Sequence, residues 1–579
     1  MLFQFLKGSF PGRRRGAPPQ AIHALSALVE AGNLAQAEAD CRQLMRRFGD
    51  DPGICRWMGR VLGMMDRYEE AIPYLLKTLR ADPGHTGALA DLGTIYWFKG
   101  DIDNSIHYYE RLLILEPAHA TALYNTSLIL AEWGRLSEAA DLMWQVLNQA
   151  PRHEEALRHY VCWMSDLNRH QNLRSNLEQL LAMDEQAPAV HEALGYVLLK
   201  RFYLAPEALD HFHKALHLGV NSSELHGNMG IALQDVGRLD EALSSYNLAL
   251  ALDPQNNGAR LHRSLANLLL GNFEDGWPEY EIRLVSQAPL RKDLPFPVWG
   301  GEDLSRKTIL VSAEQGIGDE IMFASCLPEM LRRTKHCVIE CASKLEPIYR
   351  RSFPAATVVN TCQSRLSGWL DHLPEIDCRA PMGSLPFHLR LFEEAFPFTP
   401  PYLRADPDRV LYWKSRLDAL GPGLKIGVSW RGGAEKWRRG VKTCPPPLWK
   451  PLSGIPGTHF FCLQYDATLG EADDTGRLWN TPVHFWEEAL ENYDETAALV
   501  CALDLIVSVC TSLIHLAGAL GAPVMVMAPL SPDWRYGLHG EQMIWYPSVR
   551  IFRQDRYGEW SSVVDRVNQE IRRLAHGRQ

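Results

Sequence analysis

The chain has no apolar run near the length of a membrane span, no C-x-x-C pair and no excess of positive charge. The first lack excludes a spanning helix, which needs about 18 or more consecutive apolar residues. The second removes the usual zinc and redox spacings. The 12 cysteines are scattered, and Cys337 and Cys341 do not have a zinc-finger interval, so they read as free thiols of a reducing compartment, and no metal site is expected. The third lack, a net charge of −10, excludes a general nucleic-acid binder, which needs a basic surface. The N-terminus also lacks the order of a secretory signal: in the stretch Met1 to Arg15 the basic cluster follows the short apolar segment. Residues 1–19 are therefore expected to be a flexible tail, and the protein is expected to be cytoplasmic with no transmembrane segment.

What is present is a chain of 579 residues with ordinary globular composition, 46% hydrophobic and 22% charged. That length holds about three or four domains. Its first half repeats. Pro83, Pro117 and Pro151 recur at a 34-residue interval. Leu89, Gly93, Tyr96, Gly100, Tyr109 and Leu113 precede Pro117. Gly230, Leu233, Gly237, Ala242, Tyr246, Ala249 and Leu250 precede Pro254 at matching offsets. Two antiparallel helices, small residues where they cross and a closing proline make this the tetratricopeptide repeat pattern. Gly32 and Ala37 suggest a degenerate opening unit. Residues 152–188 fit poorly, and 189–222 fit only with a one-residue slip. The pattern gives seven or eight units within an array over 20–283, whose concave groove would hold an extended peptide or a partner helix.

The last unit, Gly271 to Arg283, departs from the consensus and leads into a Pro-rich stretch that ends at Trp299-Gly-Gly. It reads as a domain boundary, with a linker over 284–306. From Lys307 onward short β-branched runs alternate with helical segments. The runs are Ile309–Ala313, Val338–Cys341 and Thr357–Asn360, then, after Gly421-Pro-Gly423, Ile426–Trp430, His459–Gln464, Leu505–Val509 and Val524–Met527. Helices are expected over 319–333, 344–352 and 512–520. Such alternation implies parallel sheets. Two series imply two Rossmann-like lobes, 307–420 and 421–579, with ligand at the carboxyl ends of the strands.

Three segments carry candidate chemistry. In the second lobe a strand delivers Cys510-Thr511-Ser512 to a helix start, where free N–H groups and two hydroxyls suit a diphosphate, with His515 in the first turn. Thr and Ser are also ordinary helix caps. The segment Trp430 to Thr443 is basic, with Arg431, Arg439 and Lys442 among its cations and Gly432-Gly433 allowing close approach to a ligand. In the first lobe, Gln315-Gly316-Ile-Gly318-Asp319-Glu320 forms a tight turn at a helix head. It lacks the third glycine of a dinucleotide fingerprint, so an NAD site is a poor reading. Asp319 is placed to act as general base on an acceptor hydroxyl, or else is a first-turn acid favoured by the helix dipole. Asp533-Trp-Arg-Tyr536 reads either as pocket lining or as packing between lobes.

Segments 271–281, 313–321, 429–433, 463–464, 495–499, 515–521, 532–537 and 545–554 together resemble bacterial proteins that join tetratricopeptide repeats to a glycosyltransferase domain of the GT-B fold. That domain is similar to the heptosyltransferases of glycosyltransferase family nine and, more distantly, to the O-linked N-acetylglucosamine transferases. The resemblance implies an α-solenoid followed by an α/β GT-B fold. It also implies a metal-independent, inverting transferase with no cofactor beyond its nucleotide-diphosphate sugar donor. It places the base on Asp319 and a donor contact on Thr511; beside these, Gly316, Gly318, Arg431, Arg439, Lys442, Gln464 and Ser512 are the candidate donor-binding residues. His515 resembles a His that assists the nucleotide in the O-linked N-acetylglucosamine transferases, which makes it a candidate for catalysis as well as for donor binding. An Asp expected before Thr511 is replaced by Cys510. The expected partner is a protein acceptor, or an assembly partner, in the repeat groove. Transfer to a lipopolysaccharide or capsule glycan, and an inactive repeat scaffold, remain open as alternatives.

Overall fold

The computed structural model describes residues 17–286, 294–360, 369–396, 401–432, 440–452 and 454–576. They divide into two compact units, one ending at Val197 and the other beginning at Leu198.

The first unit is built of antiparallel helix pairs. Pro19–Glu30 pairs with Leu34–Phe48, Pro52–Met64 with Tyr68–Ala81, and Thr86–Phe98 with Ile102–Leu115. Ala120–Glu132 then pairs with Leu136–Gln149 and Glu154–Asp166 with His170–Met183, before Pro188–Val197 closes the unit. The sequence sets both ends of each pair. Helices stop at Asp82, Glu116 and Ala150 because the following prolines disfavour a helical residue before them. The next helix then starts on a histidine cap: His85, His119 and His153 each accept an N–H three residues on, at 3.3 Å. The turn inside each pair needs one left-handed residue, at Gly32, Asp66, Gly100, Gly134 and Asn168. Where helices cross there is no room for a side chain: a Cβ on Gly93 would sit 2.6 Å from the buried Tyr109 ring. Residues 152–188, which fit the consensus poorly, form an ordinary pair because Asn168 takes the turn position that glycine holds elsewhere.

The second unit opens on a π-helical turn, Leu198–Phe202, whose extra residue accounts for the slip in the 189–222 repeat. The left-handed turn position consequently falls on Tyr203. Helix Ala205–His217 follows, then the pairs Ser223–Asp235 with Leu239–Leu252 and Asn257–Leu270 with Phe273–Tyr280.

Two sheets complete this unit. The strands are β1 Thr308–Ser312, β2 His336–Cys341, β3 Thr357–Asn360, β4 Cys378–Pro381, β5 Leu424–Ser429, β6 Thr458–Cys462, β7 Val483–His484, β8 Leu505–Val509, β9 Val524–Ala528, β10 Gln542–Met543 and β11 Tyr546–Arg553. The first sheet has the order β3-β2-β1-β4 and the second β10-β11-β9-β8-β5-β6-β7. All pairings are parallel except β10 with β11. Fully buried apolar runs such as β1, β5, β8 and β9 are what a parallel sheet covered on both faces requires. In each sheet the chain reverses its direction of winding beside the first strand, between β1 and β4 and between β5 and β8. Crevices at such switch points are where parallel α/β sheets bind ligands. Among the described residues no helix is long and apolar enough to cross a membrane.

Candidate functional site

Both glycine- and hydroxyl-bearing turns stand at switch points. β1 runs out through Gln315 into Gly316, which caps the helix Ile317–Phe323, and β8 runs out through Cys510 into Thr511, which caps the helix Ser512–Leu520. The two helices pack on one another. A Cβ on Gly318 would lie 3.2 Å from His515 Cδ2 and 3.3 Å from both Cα and Cβ of Ser512, so glycine is what allows the contact. A strap holds them from behind: Tyr402 and Leu403 donate backbone N–H groups to Ala519 O at 3.1 Å, and the Tyr402 hydroxyl donates to Ile321 O at 2.7 Å. The first turn, Gly316 to Asp319, and the start of the second helix, Ser512 to His515, are therefore neighbours.

A line of charges crosses the junction. Lys442 Nζ lies 2.7 Å from Asp533 Oδ2, the same oxygen is 3.1 Å from Arg535 Nη1, and Arg535 Nη2 binds Asp319. Arg535 Nε is buried with no hydrogen-bond partner among the described residues. Asp533 and Arg535 are thus the site-lining members of their segment. Trp534 is packing, with its ring edge-on to Trp277, Tyr280 and Trp545 at centroid distances of 5.3, 5.9 and 6.1 Å.

His515 is buried, and its Nδ1 is 3.2 Å from the Tyr546 hydroxyl. Burial, reinforced by the Arg535 charge, pushes the imidazole down to about 3, so it is neutral at ordinary pH and supplies no cation to a phosphate. Thr511 Oγ1 accepts the Leu513 N–H at 3.3 Å. Cys510 is buried beneath the turn, and burial pushes its thiol up to about 12, which makes it an unreactive apolar residue. Its carbonyl faces Gly432, where a Cβ would approach to 2.9 Å, so the ends of β5 and β8 touch beside Lys442.

Two expected donor ligands have other duties. Arg431 pairs with Asp466 at 2.7 Å and Glu471 at 2.5 Å, and both carboxylates hold it more firmly protonated than an isolated guanidinium. Gln464 is fully buried; its Oε1 accepts from Ser429 Oγ at 3.0 Å and from Arg431 N at 2.9 Å. The buried amide braces the loop between β5 and β6 through these bonds. Arg439 lies outside the described residues, with the rest of 433–439.

The segment read as a domain boundary makes close contacts to the α/β region. Trp277 Nε1 donates to Arg390 O at 2.8 Å, and the Tyr280 hydroxyl meets the Gln315 amide at 2.8 Å. Arg283, with 1% of its side chain exposed, binds Glu314 at 2.7 Å, Glu281 at 2.6 Å and Ser384 Oγ at 2.8 Å. Burial pushes the Tyr280 hydroxyl up to about 12, so it stays protonated beside the Gly316 turn. Neither Arg283 nor Tyr280 stood out as a site residue in the sequence. The signal was the departure of their repeat from consensus.

The tetratricopeptide repeat family matches residues 90–154 and 223–256, and the repeats are of that type. Protein FlbA of Caulobacter vibrioides is 30% identical over 568 residues, covering 94% of this chain and 94% of that protein. The peroxisomal targeting signal receptor of Kluyveromyces lactis is 24% identical over 207 residues, 34% of this chain and 35% of its own. Among solved structures, the C-terminal part of a repeat-containing protein of Cytophaga hutchinsonii covers 42% of this chain and 98% of its own, at 12% identity and a TM-score of 0.35.

Proposed function

The chain belongs to the family of Protein FlbA, and we propose that it is a glycosyltransferase whose α/β region moves a sugar from a nucleotide-diphosphate sugar to a protein acceptor recruited by the repeats. The observation that carries this reading is the meeting of two sheet switch points, with Gly318 set against Ser512 and His515. A ligand at such a junction has one half on each sheet. On the second sheet, the N-terminus of Ser512–Leu520, the Thr511 and Ser512 hydroxyls and Lys442 attract a diphosphate. On the first, Asp319 takes the proton of the acceptor hydroxyl as its oxygen bonds to the anomeric carbon. The bond from that carbon to the diphosphate breaks, and its electron pair leaves with the phosphate. Attack opposite the leaving group inverts the anomeric centre. The diphosphate gains negative charge, which Lys442 and the helix N–H groups offset. Tetratricopeptide repeats are protein-binding modules, which favours a polypeptide acceptor.

Titration calorimetry with UDP, GDP, ADP, CMP and their sugar conjugates tests the donor half. Binding of one nucleotide, kept in Asp319→Asn while sugar transfer is lost, supports the enzyme. Cys510 favours a second reading, a non-catalytic protein-binding scaffold, because a buried thiol stands where the heptosyltransferase-like pattern has a carboxylate. Absence of any nucleotide binding, with a partner still bound by the repeats, selects it.

A further inference from the structure

Resting on the nucleotide-sugar reading above, we propose that Tyr465 is the platform on which the base of the donor nucleotide stacks, with Asp466 beside it to receive the ribose hydroxyls. Cys462, Val428 and Val507 lie side by side across β6, β5 and β8. Beyond that line, Tyr465 and Thr511 both leave the sheet at its carboxyl edge after a few residues. Their strands are two strand spacings apart, about 10 Å, which is within the reach of a nucleotide whose phosphates lie at Thr511 and Ser512 and whose base runs along the edge toward β6.

The loop that carries Tyr465 is fastened on both sides. Leu463 N donates to Val428 O at 2.9 Å, which extends the β5–β6 pairing. Gln464 is sealed against Ser429 and Arg431, and its Nε2 donates to Asp466 Oδ1 at 2.8 Å. Asp466 in turn is paired with Arg431. Between these fixed neighbours the Tyr465 side chain is exposed, with 57% of the residue open to water. An aromatic ring on a rigid loop at a binding edge loses little conformational freedom when a flat ligand covers it.

Its neighbours suit a nucleoside. Asp466 and Glu471 each keep 30% of their side chain exposed. Asp466 follows β6, on the far side of β5 from β8, so its carboxylate stands along the carboxyl edge where the ribose of such a nucleotide would lie. Arg431 then acts as a positioning residue: it ties the β5 loop to Asp466 and Glu471 and holds the platform in place. Stacking accepts any base, so the platform recognises the nucleotide as a class.

The test is calorimetric titration of the full chain and of Tyr465→Ala and Tyr465→Phe with UDP, ADP, GDP and inorganic pyrophosphate. Tyr465→Ala is expected to weaken the nucleotide that binds by about ten-fold or more, to leave pyrophosphate unaffected, and to be rescued by Tyr465→Phe. Tyr465 is exposed, so the variants keep the fold, which their melting temperatures check. Unchanged nucleotide binding in Tyr465→Ala overturns the platform, as does equal loss of nucleotide and pyrophosphate, while the nucleotide-sugar reading stands. If the unmodified chain binds no nucleotide, that reading fails and the platform with it.

Discussion

Arg283, at the end of the repeats, and Glu314, just past β1, form a two-contact ion pair at 2.7 and 3.1 Å with almost no solvent access. The pair is also bound by Glu281 and by Ser384 beyond β4, and Gly383 N donates to the same Glu314 at 2.7 Å. Removing the cation alone strands the buried Glu314 carboxylate in low dielectric and leaves the partly exposed Glu281 without its cation, so Arg283→Met is expected to cost about 3–5 kcal/mol. Adding Glu314→Gln removes one of those charges and is expected to restore part of the loss. Urea denaturation of the single and double variants measures the coupling; additive losses would show that the pair is not a unit.

The same end of the repeats is anchored by Trp277, fully buried, its ring edge-on to Trp534 and its N–H bonded to Arg390 O. Trp277→Ala is expected to lose about 3–5 kcal/mol through the cavity and the unpaired carbonyl. Trp277→Phe keeps much of the volume and is expected to lose less. The reading weakens if both variants melt with the unmodified chain.

Much of this arrangement is legible in the sequence. Leu505–Val509 and Ser512–Leu520 have the bounds expected of them, because a β-branched run followed by a Thr cap leaves little choice of register. β4 was missed: Cys378-Arg-Ala-Pro381 has no β-branched residue, and its place is set by pairing with β1. The slip in the 189–222 repeat was visible, but its cause, a π turn at Leu198–Phe202, is a hydrogen-bond pattern with no composition of its own. In the site, glycines, caps and first-turn acids could be read because each obeys a local rule. The pairing of Arg535 with Asp319, and of Arg431 with Asp466 and Glu471, joins residues far apart in the chain, and no local rule announces it.

In the first unit, three caps share one geometry: the ring nitrogen of His85, His119 and His153 accepts the N–H of Ala88, Ala122 and Ala156. Changing each to alanine is expected to cost about 1 kcal/mol. Changing each to asparagine, the residue that caps the equivalent helix at Asn256, is expected to cost little. Equal melting of the triple alanine and triple asparagine variants would mean that the caps contribute no stability.

His515 and Glu320 sit in the two facing helices and are shifted in opposite senses. Burial and the Arg535 charge push His515 from 6.5 down to about 3. Burial, opposed by the Ala342 N–H and aided by Glu340, pushes Glu320 from 4.5 up to about 8. Between pH 6.5 and about 3 the unfolded imidazole binds a proton that the folded one refuses, so the His515 contribution is present above 6.5 and lost as pH falls. Between pH 4.5 and about 8 the folded Glu320 keeps a proton that the unfolded one releases, so its contribution is present in acid and lost as pH rises. Denaturation midpoints across this range are expected to fall less steeply on the acid side in His515→Gln and to flatten toward pH 8 in Glu320→Gln. An unaltered acid limb in His515→Gln would show that the folded imidazole accepts a proton.

The two glycines of the first turn separate cleanly. Gly316 has φ −69° and ψ 160°, a conformation open to any residue, and a Cβ there would meet only Asp319 Oδ2 at 3.6 Å. Gly318 is inside the helix, where alanine would gain about 1 kcal/mol of propensity. Its Cβ, however, would press on Ser512 and His515 at 3.2–3.3 Å, including the Ser512 backbone. Separating the helices costs about 1–3 kcal/mol, so the net stability change is small or unfavourable. The effect on ligand binding is expected to be larger, because Gly318→Ala moves Asp319 away from the Thr511 turn while leaving every polar group in place. Gly316→Ala is expected to bind nucleotide as the unmodified chain does, and Gly318→Ala to bind it several-fold more weakly with an unchanged or modestly lowered melting temperature. If the two variants bind alike, the contact between the helices does not shape the site.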